Sequence, residues 1–210
     1  MTDRDQVHLD LSRFQSREDA LQKIRRRHGF DDVVMEPVTE ALTAGTGLSL
    51  LGMFSLSAIT RARSLHESIV REIEASNPQA TFALMRAFAE TLAVIVYVAD
   101  HPDYVEALVH HPKNTPPGGR RRRSIQTFIQ HMDKHYAGQF GLVYAELSEI
   151  THYGSTAVWN TWTPVNEQEG HAVWTSSPRW RSERDFYVAC AQLLELSKEM
   201  ETALVRLLAA

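Results

Sequence analysis

The sequence predicts a mainly α-helical single domain: a helical bundle with a C-terminal β-hairpin and a long terminal helix. Three observations lead there. An apolar run from Phe82 to Ala99 and an amphipathic run from Ser182 to Leu208 are long enough for core helices. Helix start and stop residues bracket them, and between Ser155 and Arg179 the texture changes to tryptophans flanking a polar turn. The 210 residues, 43% hydrophobic and 23% charged, have the balance of a globular chain, which excludes disorder and collagen-like structure. The expected parts are an N-terminal arm and short helix over 1–30, a bundle core over 38–153, the hairpin over 155–179 and the terminal helix over 182–208.

In chain order, Ser16 and Asp19 resemble a capping pair, and Ala20, Leu21 and Ile24 give a short first helix an apolar stripe that Gly29 ends. Val38 to Glu74 is rich in Leu, Ala, Met and Ile but carries Gly45, Gly47 and Gly52, so one broken helix or two abutting helices are expected. Asn77-Pro78 starts the next helix, since Asn caps free amides and Pro suits the first helical position; Asp100, His101 and Pro102 end it. Tyr104 to His110 forms a short helix, and 111–119, with Pro112, Pro116, Pro117, Gly118 and Gly119, is a loop. Helices follow at about Arg121 to His135 and Gln139 to His152, separated near Gly138. The hairpin turns at Asn166-Glu167-Gln168-Glu169-Gly170.

Composition narrows the setting. The single cysteine, Cys190, excludes an internal disulfide and any CxxC motif, and points to a reducing cytoplasm and a buried small hydrophobe. The charged start Met1-Thr2-Asp3-Arg4-Asp5 has no apolar run behind it, unlike a secretory signal. Arg86 and Glu90 interrupt the apolar run, so it reads as a buried helix of a soluble bundle rather than a membrane span. The net charge of −4 hides two positive runs, Arg25 to Arg27 and Arg120 to Arg123.

Chemistry concentrates on two helix faces. Arg86 and Glu90 share a face at i,i+4 and can pair inside an apolar helix, where desolvation cancels much of the Coulomb gain. Tyr144, Ser148 and His152 fall at i, i+4 and i+8, so a phenol, a hydroxyl and an imidazole line one side of a later helix. Such a row can bind an anion, relay a proton or satisfy Arg86 and Glu90 across a helix interface.

These segments, Met85-Arg86-Ala87-Phe88-Ala89-Glu90 and Tyr144-Ala145-Glu146-Leu147-Ser148-Glu149-Ile150-Thr151-His152, resemble the R-x-x-x-E and Y-x-x-L-S-x-x-x-H signatures of a family of uncharacterised bacterial and phage helical proteins. That architecture is similar to the HEPN superfamily of helical bundles, several of which are RNases in toxin or defence systems. The resemblance implies an HEPN-like fold and, as one reading, an RNase with Arg86 on a phosphate and His152 as general acid/base. The usual HEPN spacing of Arg and His is met by Arg61 and His66, a match this composition produces by chance, and no Arg stands at those positions before His152.

Glu149-Ile150-Thr151-His152 is an E-x-x-H of the di-iron type, but such sites need two; Glu90, Glu146 and the His131/His135 pair are the remaining donors, and neither metal nor cofactor is expected. Arg120, Arg121, Arg122 and Arg123 follow a Pro/Gly loop and are candidates for anion or nucleic-acid contact, against a solvated surface run. Trp159, Trp162, Trp174 and Trp180 should cover the terminal helix or an interface, and with the glycines point to a homodimer. The functional expectation is a non-catalytic accessory module binding a protein partner or ligand through Arg86, Glu90, Tyr144, Ser148 and His152. The alternatives are an HEPN-like RNase acting on RNA and, more weakly, a metal-dependent helical enzyme.

Overall fold

Helix boundaries fall where capping chemistry puts them. The computed structural model describes residues 9–26, 38, 49–109, 122–136, 139–152, 161–166 and 171–210. Helix α1 spans Arg17–Arg26 behind Ser16, whose hydroxyl accepts from the Asp19 N–H at 3.1 Å, while the Asp19 carboxylate reaches back to the Gln15 N–H at 3.0 Å. Helix α2 spans Leu50–Glu74, capped by Ser49 through the Gly52 N–H, and α3 spans Pro78–Asp100, capped by Asn77 through the Ala80 N–H. Of the stretch from 38 to 48, where a helix break was expected at Gly45 and Gly47, all but Val38 lies outside the described residues.

The α2–α3 turn is three residues long. Ser76 sits in the left-handed region at φ 56°, and the N–H groups of Ser76 and Asn77 bond back to the carbonyls of Ile73 and Glu72. That arrangement satisfies two orphan carbonyls and reverses the chain at once.

A 3₁₀ turn at Pro102–Tyr104 leads into α4, Val105–Val109. Helix α5 is Ile125–Tyr136 and α6 is Phe140–Thr151. The expected start near Arg121 is displaced to Ile125, so Arg122 and Arg123 precede the helix; the loop 111–119 lies outside the described residues. Strands β1, Trp162–Asn166, and β2, His171–Trp174, pair antiparallel with a register shift between Pro164 and Asn166, and α7 runs Glu183–Leu208 from an N-cap at Ser182. The expected hairpin turn, Glu167 to Gly170, lies outside the described residues. The mainly helical fold, closed by a hairpin and a long terminal helix, is the one the sequence predicts.

Helix α3 is the axis of the structure. It packs against α2, α5, α6 and α7, and α1 bridges α2 and α7. Its length and composition would suit a membrane span, yet Met85, Phe88, Ala89, Leu92, Ala93 and Val98 are fully buried by those four helices. From α7, Phe186, Cys190, Leu193, Met200 and Leu204 enter the same core at helical spacing. Two ion pairs at 2.6 Å, Arg13–Glu195 and Arg25–Glu74, tie the α1 segment to α7 and α2.

The tryptophans divide. Trp180 packs edge-on against Phe82 and Phe186 and donates to the Ile73 carbonyl at 3.4 Å, as the reading against the terminal helix requires. Trp162 and Trp174, directly paired in the ribbon, are instead 38% and 58% exposed. A two-stranded ribbon has no second layer of its own, so a paired tryptophan is buried only where another element lies against it. Trp159 lies outside the described residues.

Candidate functional site

The two predicted faces meet. Arg86 of α3 donates from Nε to Glu90 Oε1 at 3.1 Å, from Nη2 to the Tyr144 hydroxyl at 3.1 Å, and from Nη1 to His152 Nε2 at 2.6 Å. The Tyr144 hydroxyl in turn donates to Glu90 Oε1 at 2.8 Å, and its ring lies 5.4 Å from the guanidinium carbon. A guanidinium only donates, so His152 Nε2 accepts and the imidazole proton sits on Nδ1. The network is partly buried, with side-chain exposures of 19% for Arg86 and 35% for Glu90, and His152 is its exposed end. Ser148 lies one turn from both Tyr144 and His152; its buried hydroxyl finds no hydrogen-bond partner among the described residues.

The local sequence sets this geometry. Helix α6 begins where Asp133 of α5 accepts from the Gly141 N–H at 2.8 Å, and any Cβ at position 141 would collide with that carboxylate. Glycine there lets the end of α5 hold the start of α6, one turn before Tyr144.

Two other spacings weighed in the sequence form no site among the described residues. His66 is fully buried with its ring 6.3 Å from Phe88, while Arg61 is exposed and donates to Thr91 Oγ1 at 3.0 Å, so the chance HEPN spacing joins no site. Among the described residues no three His, Cys, Asp or Glu side chains stand close enough to share a metal ion; the side chain of His135 lies outside them. Glu146 lines a cavity of about 180 Å³ with Trp180 and Gln192, and burial there raises its carboxyl above the ordinary value although the residue as a whole keeps exposed surface.

The arginine run divides as well. Arg122 donates to the carbonyls of Ala107 and Leu108, closing the C-terminal end of α4 at 3.3 and 2.7 Å. Arg123, the next residue, lies 5.5 Å over the Tyr97 ring, and its backbone N–H donates to the Tyr104 hydroxyl at 2.6 Å. Arg120 and Arg121 lie outside the described residues.

Arg123 belongs to a site that spacing alone does not announce. At the C-terminal end of α3 an open cleft of about 870 Å³ is lined by Tyr97, Asp100, His101, Arg123, His131 and Arg206, with Lys134, Thr127 and Gln130 completing the wall. Asp100 is its hub, bonding His131 Nε2 at 2.7 Å through one oxygen and Arg206 through the other. His101 stacks on Tyr97 at 4.4 Å, and the His101 and His131 rings lie 5.3 Å apart.

Compared with known proteins, the chain matches no family model, no curated protein and no solved structure. Its functional reading therefore rests on these two constellations. Both sit on α3, one against α6 and the other between α5 and α7.

Proposed function

We propose that this chain is a non-catalytic accessory module that binds a partner or ligand, and that Arg86, Glu90, Tyr144 and His152 form the joint fixing α6 against α3. One observation carries the reading: all three nitrogens of Arg86 are engaged by acceptors of the protein itself. An arginine that stabilises a transition state must present its donors to the charge that develops there. Three of the five N–H groups of Arg86 already bond Glu90, Tyr144 and His152, so it could turn its full donor set to a reacting charge only by giving up those bonds, at a cost of about 1.5–3 kcal/mol for each hydrogen bond to a charged group.

A second reading, an HEPN-like RNase, is favoured by the 2.6 Å contact between Arg86 and the exposed His152. That pair juxtaposes a cation and a proton carrier, the two groups phosphodiester cleavage uses. Incubating purified protein with structured and single-stranded RNA, with and without divalent metal, separates the two. The module leaves RNA intact, and His152→Ala alters thermal stability alone. RNA cleavage by wild type that disappears in His152→Ala would replace the module with the RNase.

A further inference from the structure

The cleft at the end of α3 inverts the charge of its surroundings. The chain carries a net −4, yet among the described residues three cations, Arg123, Lys134 and Arg206, line this cleft against one carboxylate, Asp100. Asp100 is committed to orienting His131 and Arg206. Arg123 is held by the Tyr97 ring and, through its backbone, by Tyr104. The cleft is thus built, with each of its arginines fixed by a named neighbour, and Thr127 and Gln130 add neutral hydrogen-bonding groups to its wall.

The backbone does not cancel that surplus. The C-terminus of α3 brings roughly half a negative charge, but the start of α5, where Thr127 lies, brings roughly half a positive one. The described lining therefore carries about two positive charges, close in size to the charge of a phosphomonoester near neutral pH. The volume of about 870 Å³ falls within the range of small-molecule sites.

A nucleic-acid strand fits the cleft less well. Single strands are held by a basic track with exposed aromatic platforms. Here Tyr97, Tyr104 and Phe128 are 5%, 2% and 4% exposed, which leaves no face of these rings for a base, and the cations gather in one hollow of an acidic chain.

We infer that this cleft binds the phosphoryl group of a small phosphate ester, with Arg123, Lys134 and Arg206 as its charge partners and Asp100 as the residue that positions Arg206 and His131. The inference deepens the binding-module reading and rests on it, naming the ligand class and placing the site apart from the Arg86 joint.

The test is calorimetric titration of the full chain with inorganic phosphate, adenosine monophosphate and a short single-stranded RNA. Wild type is compared with Lys134→Gln, Arg206→Gln and the exposed control Arg71→Gln. Lys134 is exposed, so its variant folds, and circular dichroism checks this for all three. The expected result is saturable binding of phosphate and the monophosphate, about tenfold weaker in Lys134→Gln and Arg206→Gln, as for one lost charge-assisted hydrogen bond, and unchanged in Arg71→Gln. Absence of saturable binding overturns the proposal, as does binding of RNA alone or equal affinity in all variants. Release of phosphate from a bound ester supports the site and breaks the non-catalytic reading. Absence of binding breaks the site and leaves the Arg86 joint as it stands.

Discussion

Arg86 and Arg206 each pair with a carboxylate in a site that also holds a histidine and a tyrosine, and the two sites differ in which group is the hub. Around Arg86 the guanidinium is central, and Glu90, Tyr144 and His152 converge on it as acceptors. Around Arg206 the carboxylate is central: Asp100 takes Arg206 with one oxygen and His131 with the other, and the cations lie around an open hollow. A cation at the hub turns three of its five N–H groups inward and ties the helices together. An anion at the hub, outnumbered by cations, leaves the surplus facing solvent. The same vocabulary of side chains therefore yields a joint on one flank of α3 and a receptive cleft at its end.

The sharpest way to break this comparison is to remove each arginine in turn. Arg86→Ala leaves the partly buried Glu90 carboxylate without its cation and with only the Tyr144 hydroxyl as donor, and should destabilise the fold by about 2–3 kcal/mol in urea titration. Arg206 is nearly half exposed, so Arg206→Gln should stay within about 0.5 kcal/mol of wild type. Equal losses in the two variants would dissolve the distinction between joint and cleft.

Cys190 reports on the core that both regions share. Its thiol is fully buried, and burial pushes its pKa up to about 12 from the ordinary 9.0. Wild type and Arg206→Gln should resist thiol alkylation at neutral pH until denatured, whereas Arg86→Ala should label faster because weakening the joint opens the core more often. The linkage has a definite sign. Above pH 9 the unfolded chain sheds the thiol proton that the native chain retains, so the Cys190 contribution makes stability fall as pH rises toward about 12, by at most about 1.4 kcal/mol per unit. Cys190→Ala should remove that component of the alkaline slope, and an unchanged slope would show that the thiol is not protected.

A milder change sharpens how the joint is held. Gly141→Ala drives a methyl into the Asp133 carboxylate and removes its bond to the start of α6. The loss should be about 1 kcal/mol, the scale of a missing helix cap, and should be smaller when Asp133 is already Ala. Additive losses in that double-mutant cycle would mean that Asp133 does not set the position of α6.

The joint was legible in the sequence, and the cleft was not. Arg86 and Glu90, like Tyr144 and His152, lie at whole-turn spacings within single helices, so periodicity alone brings each set to one face. The caps at Ser16 and Asn77 were legible for the same reason, since each acts on an amide three residues away. The cleft draws Asp100, Arg123, His131 and Arg206 from three helices and the segment before α5, and no local spacing encodes that meeting. The sequence showed Arg123 only as one of a basic run and His131 only as half of an i,i+4 pair. The exposure of Trp162 and Trp174 was not legible for a related reason: aromatic density signals cover, but whether a ribbon lies against the rest of its own chain depends on elements far along it.

The three-residue turn at Ser76 bears on the order in which the molecule assembles. Closing the α2–α3 hairpin ties up three residues of chain, whereas bringing α7 back onto α3 encloses roughly 80, an entropy difference of about 3 kcal/mol. The α2–α3 pair is also the most extensively packed in the molecule. Chain entropy and contact locality thus favour it as the folding nucleus, and α5, α6 and α7 dock on a platform already formed. Both polar regions would then be late events, completed only when distant helices arrive at a surface that is waiting for them.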